Sequence, residues 1–443
     1  MTAVLTPARS ASSTPVRITA TRAPVLALVV FVATLPLEWV TVTGAAGGFI
    51  KPFHLAGLAV ISVGLARWRP RQLIGPVLRQ HAGVYVAYAV LLGAAFAGGL
   101  AYDDPFLSRT LIFRQVYYAG TSVVIAGVVA LVVADAGRRS RMLAWSGLVA
   151  LVVLLAGLGV SLARQSVNPI TVVGDALRSG DPDLISYRLL RSAFRADTGL
   201  VDVAANLRHK VFGGLLVAVF LGLACRAMVE RSRPVLRAVL GAAGVIGAAL
   251  VVLSLSRSTI VCLAVVLALV ALRMVMRNRL RPAQAVGVGL VAVLAVGMLV
   301  SPAGELLLAR FTGSGSYESR LDAIGPLFLE EFEGAAAFGT TDVSVERSPH
   351  NLVLHSWLSG GIVAAVAALV MLVSLARVWL REARRYVGGR PGWVIPVGQV
   401  WMLGLGIIPF VRAFTAGNQF HMVEWAAVGF FLGLTMANDR AST

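Results

Sequence analysis

Charge is scarce in this chain. Of its 443 residues only 14% are Asp, Glu, Lys or Arg, whereas soluble domains carry about 25%. Hydrophobic residues reach 58%, and the mean hydropathy is +0.82. Such a chain cannot clothe an ordinary folded surface in polar side chains, so much of its solvent must be lipid. That excludes an aqueous globular enzyme and a disordered polymer. Cysteine is nearly absent: Cys225 and Cys262 both lie inside apolar runs, which leaves no disulfide framework and no thiolate metal site. Lysine is rarer than in most proteins, with Lys51 and Lys210 the only two among 39 basic residues. Together with the abundance of Ala, Val and Gly, that bias suits a GC-rich bacterial genome.

What the chain has in quantity is apolar runs separated by arginines. A helix needs about 20 apolar residues to cross the hydrocarbon core. Runs of that kind fall near 24–40, 53–67, 82–100, 111–134, 142–162, 211–228, 235–254, 258–272, 283–300, 351–376, 393–411 and 420–437. The expected fold is therefore an all-α polytopic membrane domain over 24–437, of about twelve spans, between short tails at 1–23 and 438–443. The Ser/Thr/Pro-rich head has no small-residue cleavage site, which predicts a retained first span and not a removed signal peptide.

The net charge of +18 is a matter of topology and not of nucleic-acid binding, because the arginines form no continuous stripe. With the N-terminus inside, the inner loops and tails hold 24 basic and 4 acidic residues, against 15 basic and 17 acidic outside. Every alternate loop then obeys the positive-inside rule, with both termini cytoplasmic. Two outer loops, about 163–210 and 301–350, are far longer than the rest. Loops of that length are usually functional or disordered, and amphipathic stretches at 187–194 and 321–332 favour short surface helices, so the chemistry is expected on the extracytoplasmic face.

Histidine and arginine carry the candidate chemistry. In Ser348-Pro349-His350-Asn351 the second long loop enters the tenth span, which puts His350 at the outer boundary by a helix start. Its imidazole exchanges a proton near neutral pH and suits a general base; an interfacial cap is the plainer reading. His355 is about 140° around the same helix, so the two histidines make no i, i+4 metal pair, and no metal site is expected. Arg257 opens an eighth span that reaches Arg273 in roughly 24 Å, less than the roughly 30 Å hydrocarbon core, so it should be drawn inward. There its planar guanidinium could grip a lipid-linked phosphate, or merely snorkel. Arg320 follows a Gly/Ser stretch in the second loop. Arg188, Arg191 and Arg195 share one helical face in the first, fit equally for headgroups or for substrate. Glu38, Glu424, His421 and Arg412 all belong near the outer boundary. A proton-driven transporter would place such groups nearer the midplane.

These residues resemble, in order and spacing, the O-antigen ligase and O-antigen polymerase family of membrane glycosyltransferases. Ser254-Leu255-Ser256-Arg257-Ser258 is similar to the family's Ser-Gly-Ser-Arg-Ser motif, with Leu255 in place of the glycine. Arg320 matches the arginine early in its large outer loop, Phe338-Gly339 its Gly-x-Gly turn, and His350-Asn351 its re-entry. Lys51-Pro52-Phe53-His54-Leu55 looks like the opening of its second span. The specific part covers about 210–376. The resemblance implies a C-type glycosyltransferase fold in the cell membrane and a metal-independent, cofactor-free reaction. A glycan would pass from a polyprenyl-pyrophosphate carrier such as undecaprenyl pyrophosphate to an acceptor hydroxyl in surface polysaccharide biosynthesis. Carried over, His350 is the base, Arg257 and Arg320 hold the pyrophosphate, and Asn351 is a substrate contact. The motifs do not separate ligase from polymerase. The competing readings are a transporter or flippase for a lipid-linked sugar, and a C-type transferase using a polyprenyl-monophosphate sugar with Glu38 or Asp103 as its acid group.

Overall fold

A computed structural model describes residues 22–37, 50–101, 105–132, 145–156, 166–181, 233–253, 257–277, 351–389, 397–415 and 420–442, and singly 159, 163, 184 and 339. Every regular element among these described residues is a helix. We number them α1 (Arg22–Thr34, continued by a 3₁₀ turn at Leu35–Leu37), α2 (Pro52–Arg67), α3 (Pro70–Leu73), α4 (Gly75–Ala101) and α5 (Pro105–Val132). Then come α6 (Trp145–Ala156), α7 (Pro169–Ser179), α8 (Pro234–Leu253) and α9 (Arg257–Arg277). The last are α10 (Leu352–Gly388), α11 (Val397–Thr415) and α12 (Met422–Ser442).

Local chemistry sets many of the ends. Five helices open on proline, whose fixed φ suits the first helical position and whose missing N–H has no partner to lose there. Asn168 caps α7 by accepting from the Ile170 N–H (2.9 Å), and Gly180 (φ 67°) ends it in the left-handed region. Within α4 the backbone leaves helical geometry at His81 (φ −125°, ψ 29°).

Gly75–Gly98, Phe113–Val132 and Leu352–Gly388 are long and apolar enough to cross a membrane, and six further apolar helices are shorter. Among the described residues the protein is thus helical, with helices that could span a bilayer. Along α10 a stripe of Ile362, Val363, Val366, Leu369, Val370 and Val373 is exposed, an outward apolar face that suits lipid and not water. The expected spans near 211–228 and 283–300, and most of both long loops, lie outside the described residues.

The eighth span corrects the sequence reading. It was expected to stop at Arg273, but α9 continues to Arg277, 21 residues in all or roughly 30 Å. Arg273 is buried, donates to the Tyr386 carbonyl and lies 4.9 Å from that ring's centroid.

Small residues bring the backbones together, as expected where lipid offers no hydrophobic driving force. α4 and α10 run antiparallel, with Gly83 facing Ser374 and Gly360 facing the Ala94–Ala95 backbone. α5 and α12 run parallel: Gly429 sits on the Ser122 carbonyl and Gly433, one turn on, on that of Ala126. α2 lies parallel to α5 through Gly57 against Tyr117 and Thr121, and Gly64 against Val124 and Val128. α11 returns antiparallel to α12, with Gly406 against Phe431.

The two ends of this bundle differ in chemistry. One is an arginine-rich clasp. Asp439 of α12 accepts from Gln80 of α4 (2.8 Å) and from Arg381 (3.4 Å) and Arg385 (2.5 Å) of α10, while buried Glu382 takes both arginines as well. Arg273 and Tyr386 lie toward the same end. The opposite end gathers the starts of α2, α5, α10 and α12 and the finish of α11.

Candidate functional site

At this second end the residues lock each other by aromatic and polar contacts. The Lys51 N–H donates to His54 Nδ1 (3.0 Å), which ties the entry of α2 to its first turn. Tyr117 of α5 donates to the His54 carbonyl (2.6 Å). The His54 ring stacks on Tyr118 (5.8 Å between centroids, 22°) and meets Tyr117 edge-on (5.4 Å). Deeper, Tyr88 donates to Gln115 Oε1 (2.5 Å), and Gln115 Nε2 donates to the Phe420 carbonyl (3.1 Å), which fixes the approach to α12.

The strongest feature is a buried ion pair between α11 and α12. Arg412 Nε donates to Glu424 Oε1 at 2.7 Å, and the two side chains are 4% and 1% exposed. The other carboxylate oxygen accepts from the His421 N–H (2.8 Å), so Glu424 also closes the first turn of α12, as the acidic member of a capping box does. Cys262, five residues into α9 from Arg257, lies within electrostatic reach of Arg412.

The residues singled out in the sequence divide as follows. Arg257 is the first residue of α9. Because Arg273 and Tyr386 meet near the far ends of α9 and α10, the two helices run in the same direction, and both begin toward this end. Asn351 is the N-cap of α10: its Oδ1 accepts from the N–H groups of Val353 (2.9 Å) and Leu354 (3.3 Å). The cap falls two residues beyond Pro349, and His350 immediately precedes it in sequence. The Asn351 side-chain carbonyl is thus spent on the helix. His350, Arg320, Arg188, Arg191, Arg195, Glu38 and the aspartates at 103–104 lie outside the described residues. Among the described residues no group of three or more His, Cys, Asp or Glu is placed to hold a metal ion.

Gly339 ties the second long loop to this end. Its φ is +84°, and a Cβ there would collide with the Leu358 carbonyl and stand 2.8 Å from Gly360 N and Ser359 C. Only glycine meets both demands. It seats against the point where α10 is broken by Gly360 (φ −151°, ψ 20°) and Gly361 (φ 68°, ψ −167°). The glycine flagged as a turn residue therefore helps hold the first two turns of α10 as a separate piece.

Sequence reasoning put Arg412, Glu424 and His421 near one boundary but did not join them. It missed Tyr88, Gln115 and the Tyr117–Tyr118 contacts with His54. A glutamate three residues after a helix start was the available signal for the first. The second had none, since it depends on which helices become neighbours. No family model and no curated protein matches the chain.

Proposed function

We propose that the chain is a polytopic glycosyltransferase of the O-antigen ligase and polymerase type. It transfers a glycan from a polyprenyl pyrophosphate to an acceptor hydroxyl at the outer face of the cell membrane. The observation that carries the reading is the ordered set Arg257, Arg320, Gly339 and His350-Asn351. Support comes from Arg257 and Asn351 opening helices toward one end of the bundle, with the arginine-rich clasp at the other. Such a division suits a membrane protein whose basic end is cytoplasmic and whose opposite end does outward-facing work. In this reading about twelve spans enclose the site and both termini are cytoplasmic.

The chemistry follows from the residue types. The acceptor hydroxyl attacks the anomeric carbon as His350 takes its proton. A new C–O bond forms, the bond to the phosphate oxygen breaks, and pyrophosphate leaves with the electron pair. Pyrophosphate is a stable leaving group that needs charge neutralisation more than an acid, and Arg257 with Arg320 supplies it. Removal of a general base costs about 10²–10⁴ in rate. His350→Ala should therefore insert and bind donor normally, while transfer from a polyprenyl-pyrophosphate glycan in detergent falls by about that factor. Wild-type transfer should also fall in acid, because a protonated imidazole cannot take the acceptor's proton. Full turnover by His350→Ala would refute the assignment.

A further inference from the structure

The short connection between α2 and α4 carries positive charge that the described bundle does not balance. Arg67, Arg69, Arg71 and Arg79 are all exposed there. The chain has no Asp or Glu between Glu38 and Asp103. The acids described at this end, Glu382 and Asp439, are both engaged with Arg381 and Arg385, and Asp439 also takes Gln80. No described acidic side chain pairs with any of the four.

The connection is held firmly. α2 stops at Trp68, whose N–H donates to the Gly64 carbonyl (3.0 Å). Pro70 opens α3, and the N–H groups of Gln72 and Leu73 close on the Arg69 carbonyl at 2.8 and 3.1 Å. Leu73 is fully buried, and its carbonyl lies where a Cβ on Gly127 of α5 would stand. Its Cδ2 is 3.2 Å from the place a Cβ on Gly64 would take. One buried leucine thus pins the connection to α5, with exposed arginines on both sides of it.

Three observations say what those arginines face. α2, α5 and α12 run parallel, so the connection lies at the end of the bundle that holds the clasp. It also sits just before Gly75–Gly98, a stretch long and apolar enough to cross a bilayer, so its cations stand close to where hydrocarbon would begin. Beside them Leu65 of α2 and Leu78 of α4 are exposed, and Trp68, half-buried against the core, has the kind of ring that settles at headgroup level. A soluble polyanion would use the charge and leave the leucines in water. A lipid uses both, and basic clusters at the end of a spanning helix favour anionic headgroups.

We infer that the α2–α4 connection is a binding site for an anionic glycerophospholipid. The phosphate sits among Arg67, Arg69, Arg71 and Arg79, and the acyl chains run along Leu65 and Leu78. The inference concerns the end of the bundle away from the candidate site and does not depend on glycan transfer.

The test uses the full chain purified in a neutral detergent, with Trp68 as a local reporter. Phosphatidylglycerol with brominated acyl chains should quench the Trp68 fluorescence, read as the difference between wild type and Trp68→Phe. The comparison is the triple variant Arg69→Gln/Arg71→Gln/Arg79→Gln. Its three sites are exposed, so its melting temperature should stay close to that of wild type. One arginine near an anionic surface is worth about fivefold in affinity, so the triple variant should bind phosphatidylglycerol at least about tenfold more weakly. Raised salt should weaken wild-type binding in the same direction. Brominated phosphatidylcholine should quench Trp68 less than phosphatidylglycerol does, and excess glycerol phosphate should not displace the lipid. Equal quenching by the two lipids overturns the inference, as does unchanged affinity in the triple variant. Displacement by glycerol phosphate overturns it as well, since the site is then for a soluble phosphate. If Trp68→Phe does not fold, phosphatidylglycerol retained by wild type and by the triple variant is counted by native mass spectrometry, and equal retention is equally fatal.

Discussion

Alanine in place of Gly433 should destabilise the protein, whereas alanine in place of Gly120 should not, although both glycines are helical. A Cβ on Gly433 would stand 2.6 Å from the Ala126 carbonyl oxygen, 2.8 Å from Val129 Cβ and 3.0 Å from Ala126 Cα. Two of these are backbone atoms of α5, which cannot rotate away, so the helices must separate. Overpacking of this kind costs about 1–3 kcal/mol, and the better helix propensity of alanine returns about 0.5–1. The net expectation is a loss of about 1–2 kcal/mol. Gly120 has nothing within 4 Å of its built Cβ, so Gly120→Ala should be neutral or gain about 0.4–1 kcal/mol. Unfolding in mixed micelles, followed by tryptophan fluorescence, reads both. Trp425 is a suitable reporter, since it lies on α12 against the rings of Tyr85 and Tyr88. Adding Gly429→Ala to Gly433→Ala should cost less than the two single losses together, because one displaced helix makes room for both methyl groups. Equal stability of Gly433→Ala and wild type, or a shift of both variants in the same direction, would refute the packing argument.

Two further predictions bear on the site and its sidedness. Arg257→Lys should fail in transfer at saturating donor nearly as fully as Arg257→Ala, because an ammonium cannot reproduce the guanidinium's planar grip; near-normal turnover would remove Arg257 from the donor site. A reporter active only outside the cell should respond when fused at residue 180 or 330 and stay silent at 232 or 386, and the reverse pattern would invert the placement of both ends.

Much of the helical layout was legible because span boundaries are written in local chemistry. Pro52, Pro105 and Pro234 open their helices, and the arginines bound the apolar runs. What was illegible depended on distant partners. Arg273 looked like the charged end of a span, yet Tyr386, 113 residues away, provides a carbonyl and a ring that let it be buried and let α9 run on. The break at Gly360–Gly361 could not be foreseen from two glycines in an apolar run, since it depends on the Ala94–Ala95 backbone and on Gly339. At the candidate site, the sequence reading offered His350 as the cap of α10, whereas Asn351 takes that role, and the Arg412–Glu424 pair required knowing that α11 and α12 fold into a hairpin.

The clasp at Asp439 also has a bearing on how the protein is made. α12 is synthesised after α4, α5 and α10, yet its two glycines fill the groove on α5, and its aspartate joins Gln80 to Arg381 and Arg385. Until that helix packs onto α5, earlier segments must wait with a vacant groove and an arginine cluster short of one counter-ion. Nascent chains stalled before residue 422 should thus be the form most open to proteases and chaperones, and docking of α12 is the event that commits the bundle to its finished state.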